Sequence, residues 1–287
     1  MVNGKSVYFS VDVEDWYVAE NLKGPIIREI WPSLEERARR NTEKILELLG
    51  RNNAKATFFI LGYMARRDPG LVKHIAAAGH EIASHGMAHR LIYEQDPEDF
   101  RRDVTDSKKL LEDLSGRKVK GYRAPTFSIT DRAVDILKES GYEYDSSLFP
   151  FSAHDRYGRL REQPVKGVRG LLSFNNGLYE APLSMLKIPG GSFPWSGGGY
   201  FRLLPYYIFR AGVRYILASQ GEYLFYIHPW DIDHAQPRVK GIKFFDRFRH
   251  YVNLKKAYSK LSAFSADFEF EPIEKMFREK ETRESTV

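Results

Sequence analysis

The chain has 287 residues, a formal net charge of +6, 43% hydrophobic and 14% aromatic residues, and no cysteine. This length suits one large domain or two small ones, and the apolar content a substantial core; the missing cysteines exclude disulfides and thiolate chemistry. No run approaches the roughly eighteen apolar residues of a membrane span, and no basic stretch followed by an apolar one opens the chain, so a cytoplasmic location is the default expectation.

Taken in chain order, Val7, Phe9, Val11 and Val13 alternate with Tyr8, Ser10, Asp12 and Glu14, which predicts a strand with two distinct faces over 6–13. Ser33 is placed to cap a helix running through Leu49, with Gly50 at its stop. A buried strand is expected over Ala56–Leu61 and a helix over Pro69–Ala78 ended by Gly79. Glu81–Ser84 reads as a short strand leading straight into His85. Asp96-Pro97 opens a helix to about Leu114, Gly121–Arg123 is strand-like, and Thr130 caps a helix to Ser140. The second half is less regular: Pro164–Gly170 and Gly190–Gly199 read as loops, the latter a flexible rim presenting Phe193 and Trp195. Tyr223–Ile227 is a further strand, and a charged helical tail is expected from Glu269 onward. Between Arg238 and Lys260, Lys240, Lys243, Arg247, Arg249, Lys255 and Lys256 interleave with Phe244, Phe245, Phe248 and Tyr251. That pattern predicts an amphipathic helix with a solvated basic face; it also suits contact with an anionic surface such as a membrane, and no nucleic-acid motif accompanies it.

Repeated β–α units imply parallel strands covered by helices, with functional residues gathered where strands end. Asp12, Glu14, Asp15, His85, Arg123 and Asp145 all fall at or just past proposed strand ends. His85 and His89 are four apart, the spacing of one face of a helical turn. With a carboxylate from elsewhere they make an open-sided divalent metal site, the starting point of metal-assisted hydrolysis.

The motifs Ser10-Val11-Asp12-Val13-Glu14-Asp15, His85-Gly86-Met87-Ala88-His89, Arg123-Ala124-Pro125, Tyr144-Asp145-Ser146-Ser147 and Tyr226-Ile227-His228-Pro229 occur in that order. Through them the chain resembles the NodB-homology polysaccharide deacetylases of carbohydrate esterase family 4. Asp12–Trp16, Gly121–Ser128, Asp145–Pro150, His154–Gly158, Gly197–Arg202 and His228–Asp231 carry a narrower likeness to the branch that accompanies exosortase/PEP-CTERM exopolysaccharide clusters. The resemblance implies a distorted TIM-like (β/α)7 barrel as one domain over 1–287, with its motif-bearing core at about 7–237 and a helical extension over about 238–287. It further implies a divalent ion, zinc foremost with cobalt, nickel or manganese as alternatives, and removal of acetyl groups from amino sugars of an exopolysaccharide or its lipid-linked precursor. Such a substrate would suit an enzyme peripheral to the inner face of the membrane.

The resemblance also assigns roles. His85 and His89 would hold the ion, Arg123 would orient the catalytic base, and His228 would protonate the departing amine, with Asp145 or Asp231 supporting it. The first motif admits two schemes. Adjacency gives Glu14 as base and Asp15 as metal ligand, the favoured scheme because a short carboxylate beside a strand end suits a fixed site. Strand alternation instead puts Asp12 and Glu14 on one face, as base and ligand. Trp16, Pro125, Phe127, Trp195, Tyr200 and Trp230 are candidates for sugar contacts. Two other functions remain open at this level: an amide or cyclic-imide hydrolase of small molecules, and a glycan-binding protein without catalysis.

Overall fold

The computed structural model describes residues 6–149, 158, 160, 161, 164–166 and 170–277. In the first half β1 (Ser6–Val13), α1 (Ala38–Arg51), β2 (Thr57–Ile60), α2 (Gly62–Arg67), α3 (Pro69–Ala77), β3 (Glu81–Ser84), α4 (Pro97–Ser115), β4 (Gly121–Tyr122), α5 (Asp131–Glu139) and β5 (Tyr144–Asp145) follow in turn. The second half holds β6 (Val165–Lys166), β7 (Leu172–Ser173), β8 (Tyr179–Glu180), β9 (Met185–Ile188), β10 (Gly191–Pro194), α6 (Gly198–Leu203), α7 (Tyr206–Gln220), β11 (Glu222–Ile227), α8 (Phe244–Tyr251), α9 (Leu254–Asp267) and β12 (Phe270–Glu271).

The main sheet runs β11-β1-β2-β3-β4-β5-β8-β7-β6. From β11 to β8 every pairing is parallel, and only β7 and β6 turn antiparallel. The sheet curls with helices against its outside, the distorted (β/α)7 barrel expected from the motifs. The period-2 pattern of β1 explains its central place. Val7, Phe9, Val11 and Val13 join the layer between sheet and helices with Ile45, Phe58, Val104 and Phe225, while Tyr8 faces inward with Phe59, Ala83, Tyr144 and Leu224. Ser10 and Asp12 continue that inward face and are buried. Because the strands are parallel, their C-terminal ends share one edge, and that edge carries the site.

Local signals hold for most helices. The Asp96 carboxylate accepts from Asp99 N at 2.8 Å with Pro97 in the first turn of α4, and Gly116 ends it at φ +66°. Thr130 caps α5 through Ala133 N. Ser33 does not cap α1: the helix begins at Ala38, after a short 3-10 stretch over Arg28–Ser33. Its free N–H groups at Arg37 and Ala38 donate instead to Asp15 Oδ2, at 2.7 and 2.9 Å. The loop expected over 190–199 is strand β10 and the start of α6. Part of the expected helical tail is a strand, β12 lying parallel to β1 with Val7 opposite Phe270. Residues 150–157, holding most of the His154–Gly158 motif, and 278–287 lie outside the described residues.

Candidate active site

Arg123, just past β4, is wholly buried. Its guanidinium lies 4.1 Å from the centre of the Phe59 ring and spreads donors over four acceptors: Asp12 Oδ1 at 2.7 Å, Ser10 Oγ at 2.8 Å, Ser146 Oγ at 2.9 Å and Ser146 O at 3.0 Å. Asp12 is therefore held in one orientation by the guanidinium.

Above it the structure brings Glu14, His85 and His89 together, with one ligand atom from each within 4.8 Å of the others. Glu14 Oε2 lies 3.1 Å from His89 Nε2 and 3.9 Å from His85 Nε2. Glu14 Oε1 accepts from Trp230 Nε1 at 3.0 Å, whereas the buried Oε2 has no hydrogen-bond partner. A buried carboxylate oxygen left unpaired beside two imidazole nitrogens is a costly arrangement for a protein alone and a fitting one for a cation. His85 is prepared for that role: its Nδ1–H donates to Arg123 O at 2.8 Å, which turns Nε2 toward Glu14. Burial lowers its pKa to about 4, so the imidazole is neutral at physiological pH. Burial would raise Glu14, but its imidazole neighbours, His89 and His228 foremost, outweigh it and hold the carboxyl at about 2.

Asp15 is not part of this group. It caps two helical stretches, Oδ1 accepting from Trp16 N at 2.8 Å and Oδ2 from the start of α1, so its oxygens are spent on backbone donors. Nor do the two histidines share a helical turn. The segment 85–89 is a loop with Gly86 at φ +73° and His89 at φ +50°. The N–H groups of Gly62 and Tyr63 in α2 donate to the carbonyls of Gly86 and Met87, and Asp103 of α4 accepts from Met87 N at 2.8 Å.

Across the cavity His228 follows β11. Its Nδ1 meets Asp231 Oδ2 at 2.9 Å and its Nε2 lies 3.6 Å from Glu14 Oε1. Burial opposes the charged ring, yet the carboxylates of Glu14, Asp231 and Asp12 raise its pKa to about 9. Asp231 in turn accepts from the buried Arg202 Nε at 2.8 Å. Asp145, the other candidate support for His228, is buried elsewhere: it accepts from Ser147 Oγ at 2.6 Å and lies opposite Glu180 in the sheet. Arg202 was legible only as a letter in a motif; nothing in the sequence marks a carboxylate 29 residues on as its partner.

A cavity of about 390 Å³ joins these groups, lined at its base by Asp12, Glu14, His85, His89 and His228 and higher up by Phe127, Tyr200, Tyr226 and Trp230. Of the six aromatic and proline candidates, Phe127, Tyr200 and Trp230 reach it. Trp230 is stacked between His228 and His250, with ring centres 4.4 and 4.8 Å away, so it positions Glu14 and His228 from the wall rather than offering an open platform. Trp16, buried and donating to Glu35 O, packs under the rim, and Pro125 is buried in the turn after Arg123. Trp195 turns inward, stacked on Phe209 and donating to its carbonyl at 3.0 Å.

The glycine run beside Trp195 is there for close approach. A Cβ on Gly198 would lie 2.2 Å from Asp231 Oδ2. Gly198→Ala is therefore expected to displace Asp231, release His228 Nδ1 and lower kcat by about 10- to 100-fold, the usual cost of losing such an orienting partner. Steady-state kinetics beside thermal unfolding of the same protein separate this effect from a general loss of fold.

The chain is similar to known proteins along both of its halves. Residues 25–144 match the family model "Polysaccharide deacetylase", and residues 146–278 match "Domain of unknown function (DUF3473)". A peptidoglycan-N-acetylglucosamine deacetylase of Bacillus cereus is 35% identical over 102 residues, which are 36% of this chain and 47% of that protein. The chain thus spans under half the length of that relative. A Mycobacterium smegmatis protein assigned as a polysaccharide deacetylase superposes with a TM-score of 0.59 at 20% identity, over 99% of this chain and 93% of its own. A family 4 carbohydrate esterase pseudoenzyme from Bacillus anthracis does so with a TM-score of 0.50 at 12% identity, over 96% and 66%. The structural likenesses show the fold; the family model and the curated relatives support the polysaccharide deacetylase family.

Proposed function

We propose that the chain is a metal-dependent hydrolase that removes N-acetyl groups from amino-sugar units of a polysaccharide, with an exopolysaccharide or its lipid-linked precursor as substrate, as in the exosortase-associated branch. The observation that carries this reading is the unpaired Glu14 Oε2 facing the Nε2 atoms of His85 and His89, in a cavity with Asp12 and His228 on either side. A divalent ion held by Glu14, His85 and His89, with zinc the first choice, would polarise the acetyl carbonyl and make water acidic. Asp12, fixed by Arg123, takes the proton of the attacking water. His228, kept protonated beside Asp231 and Glu14, gives its Nε2 proton to the amine nitrogen as the C–N bond breaks. Phe127 and Tyr200 offer faces on which sugar rings pack.

Chelation tests this directly. Acetate release from N-acetylglucosamine oligomers and from exopolysaccharide is expected to fall on the order of a thousandfold after removal of bound ions and to return with zinc, cobalt or nickel. Equal release from chelated and ion-replete protein would contradict the mechanism. Glycan binding with no acetate released under any of these ions would favour a binding protein instead.

A further inference from the structure

Above the catalytic groups, the cavity wall continues onto a surface that the reaction does not use. Helix α8 exposes Phe244, Phe245 and Phe248 to 75%, 77% and 50%. Their spacing places them on one face, while His250 is buried on the opposite side of the helix and Tyr251 is buried at its C-terminal end. The basic face is solvated as the sequence suggests, and the phenylalanines that such a helix would pack inward point outward as well. Phe245 and Phe248 also line the cavity mouth, together with Leu203, itself 44% exposed. A contiguous apolar patch of this kind marks a contact surface.

The charge around the patch selects the partner. Lys240, Lys243 and Arg247 are exposed on the same segment, and residues 238–256 hold seven lysines and arginines against one acid, Asp246. Aromatic side chains at the tip with cations of one sign beside them are the composition of a helix lying in a lipid interface.

We propose that α8 docks this face on an anionic phospholipid bilayer, with the three phenylalanines entering the boundary between headgroups and acyl chains and the basic side chains among the phosphates. Docking in this way turns the cavity mouth toward the interface, where an amino sugar carried on a lipid would arrive. No helix among the described residues is long and apolar enough to cross a membrane.

The test uses the full chain and vesicles of phosphatidylcholine, alone or mixed with phosphatidylglycerol, and needs no turnover, so it stands apart from the deacetylase reading. Co-sedimentation with the mixed vesicles is expected to exceed that with phosphatidylcholine alone by about tenfold and to weaken with salt. Combining Phe244→Ser with Lys243→Glu and Arg247→Glu should reduce it by at least about tenfold. None of these three positions lines the cavity. Phe244→Trp, a near-conservative change at an exposed position, should shift its emission to the blue on mixed vesicles. Protein that stays in the supernatant with mixed vesicles at low salt, or an indole emission unmoved by them, would overturn the proposal. So would binding indifferent to the three substitutions. Capture of an acidic protein without vesicle binding would likewise reassign the face.

Discussion

Glu14→Ala is expected to empty the ion site and cut acetate release on the order of a thousandfold, the several kcal/mol that a bound cation supplies to such a reaction. Folding should be largely kept, because Glu14 makes one direct hydrogen bond, from Trp230, and sits beside imidazoles that are released from its charge. Asp15→Ala should do the reverse. Its two oxygens serve the N–H groups of Trp16, Arg37 and Ala38, and leaving buried donors unpaired costs about 1–3 kcal/mol each. A loss of about 3 kcal/mol corresponds to a fall in Tm of roughly 6–12 °C for a chain of this size, with stoichiometric ion still bound. Thermal unfolding and metal analysis of the two variants side by side separate the roles. A Glu14→Ala protein that keeps its ion, or an Asp15→Ala protein that loses it at full stability, would restore the adjacency scheme.

The second large effect belongs to Arg123 and Asp12. Asp12→Asn removes the proton acceptor while keeping the shape of the floor, so kcat should fall by about 10²- to 10⁴-fold with ion binding intact. Arg123→Ala is a different lesion. It strands the Asp12 carboxylate in a buried site without its cation, a cost of about 3–5 kcal/mol. It also frees the carboxylate from the donors that aim it, so activity falls together with stability. Arg123→Lys should rescue little, because one ammonium cannot reach Asp12, Ser10 and both Ser146 acceptors in the directions of a guanidinium fork. Full kcat in Asp12→Asn would remove Asp12 from the mechanism.

The sequence carried the parts of the fold that depend on neighbours along the chain. Alternation in β1 placed Asp12 and Glu14 on one face, and turn chemistry at Asp96-Pro97 and Thr130 set the starts of α4 and α5. What it could not carry are decisions made across the chain. The start of α1 is fixed by a carboxylate more than twenty residues upstream, so Ser33 looked like the cap and Asp15 looked like a ligand. The spacing of His85 and His89 fits a helical turn, but a loop with two positive φ values delivers the rings instead, braced by α2 and α4. Trp195 reads as a rim aromatic beside glycines until Gly212 is seen to leave room for its indole, where a Cβ would lie 2.3 Å away. Arg202 and the His228–Trp230–His250 stack arise from packing that no local pattern encodes.

The most direct measurement is anomalous scattering from a crystal of the zinc-loaded protein, recorded at the zinc edge. One strong peak is expected within about 2.0–2.2 Å of His85 Nε2, His89 Nε2 and a Glu14 oxygen. A peak at Asp15, or none in the cavity between Glu14 and the two histidines, would contradict the account.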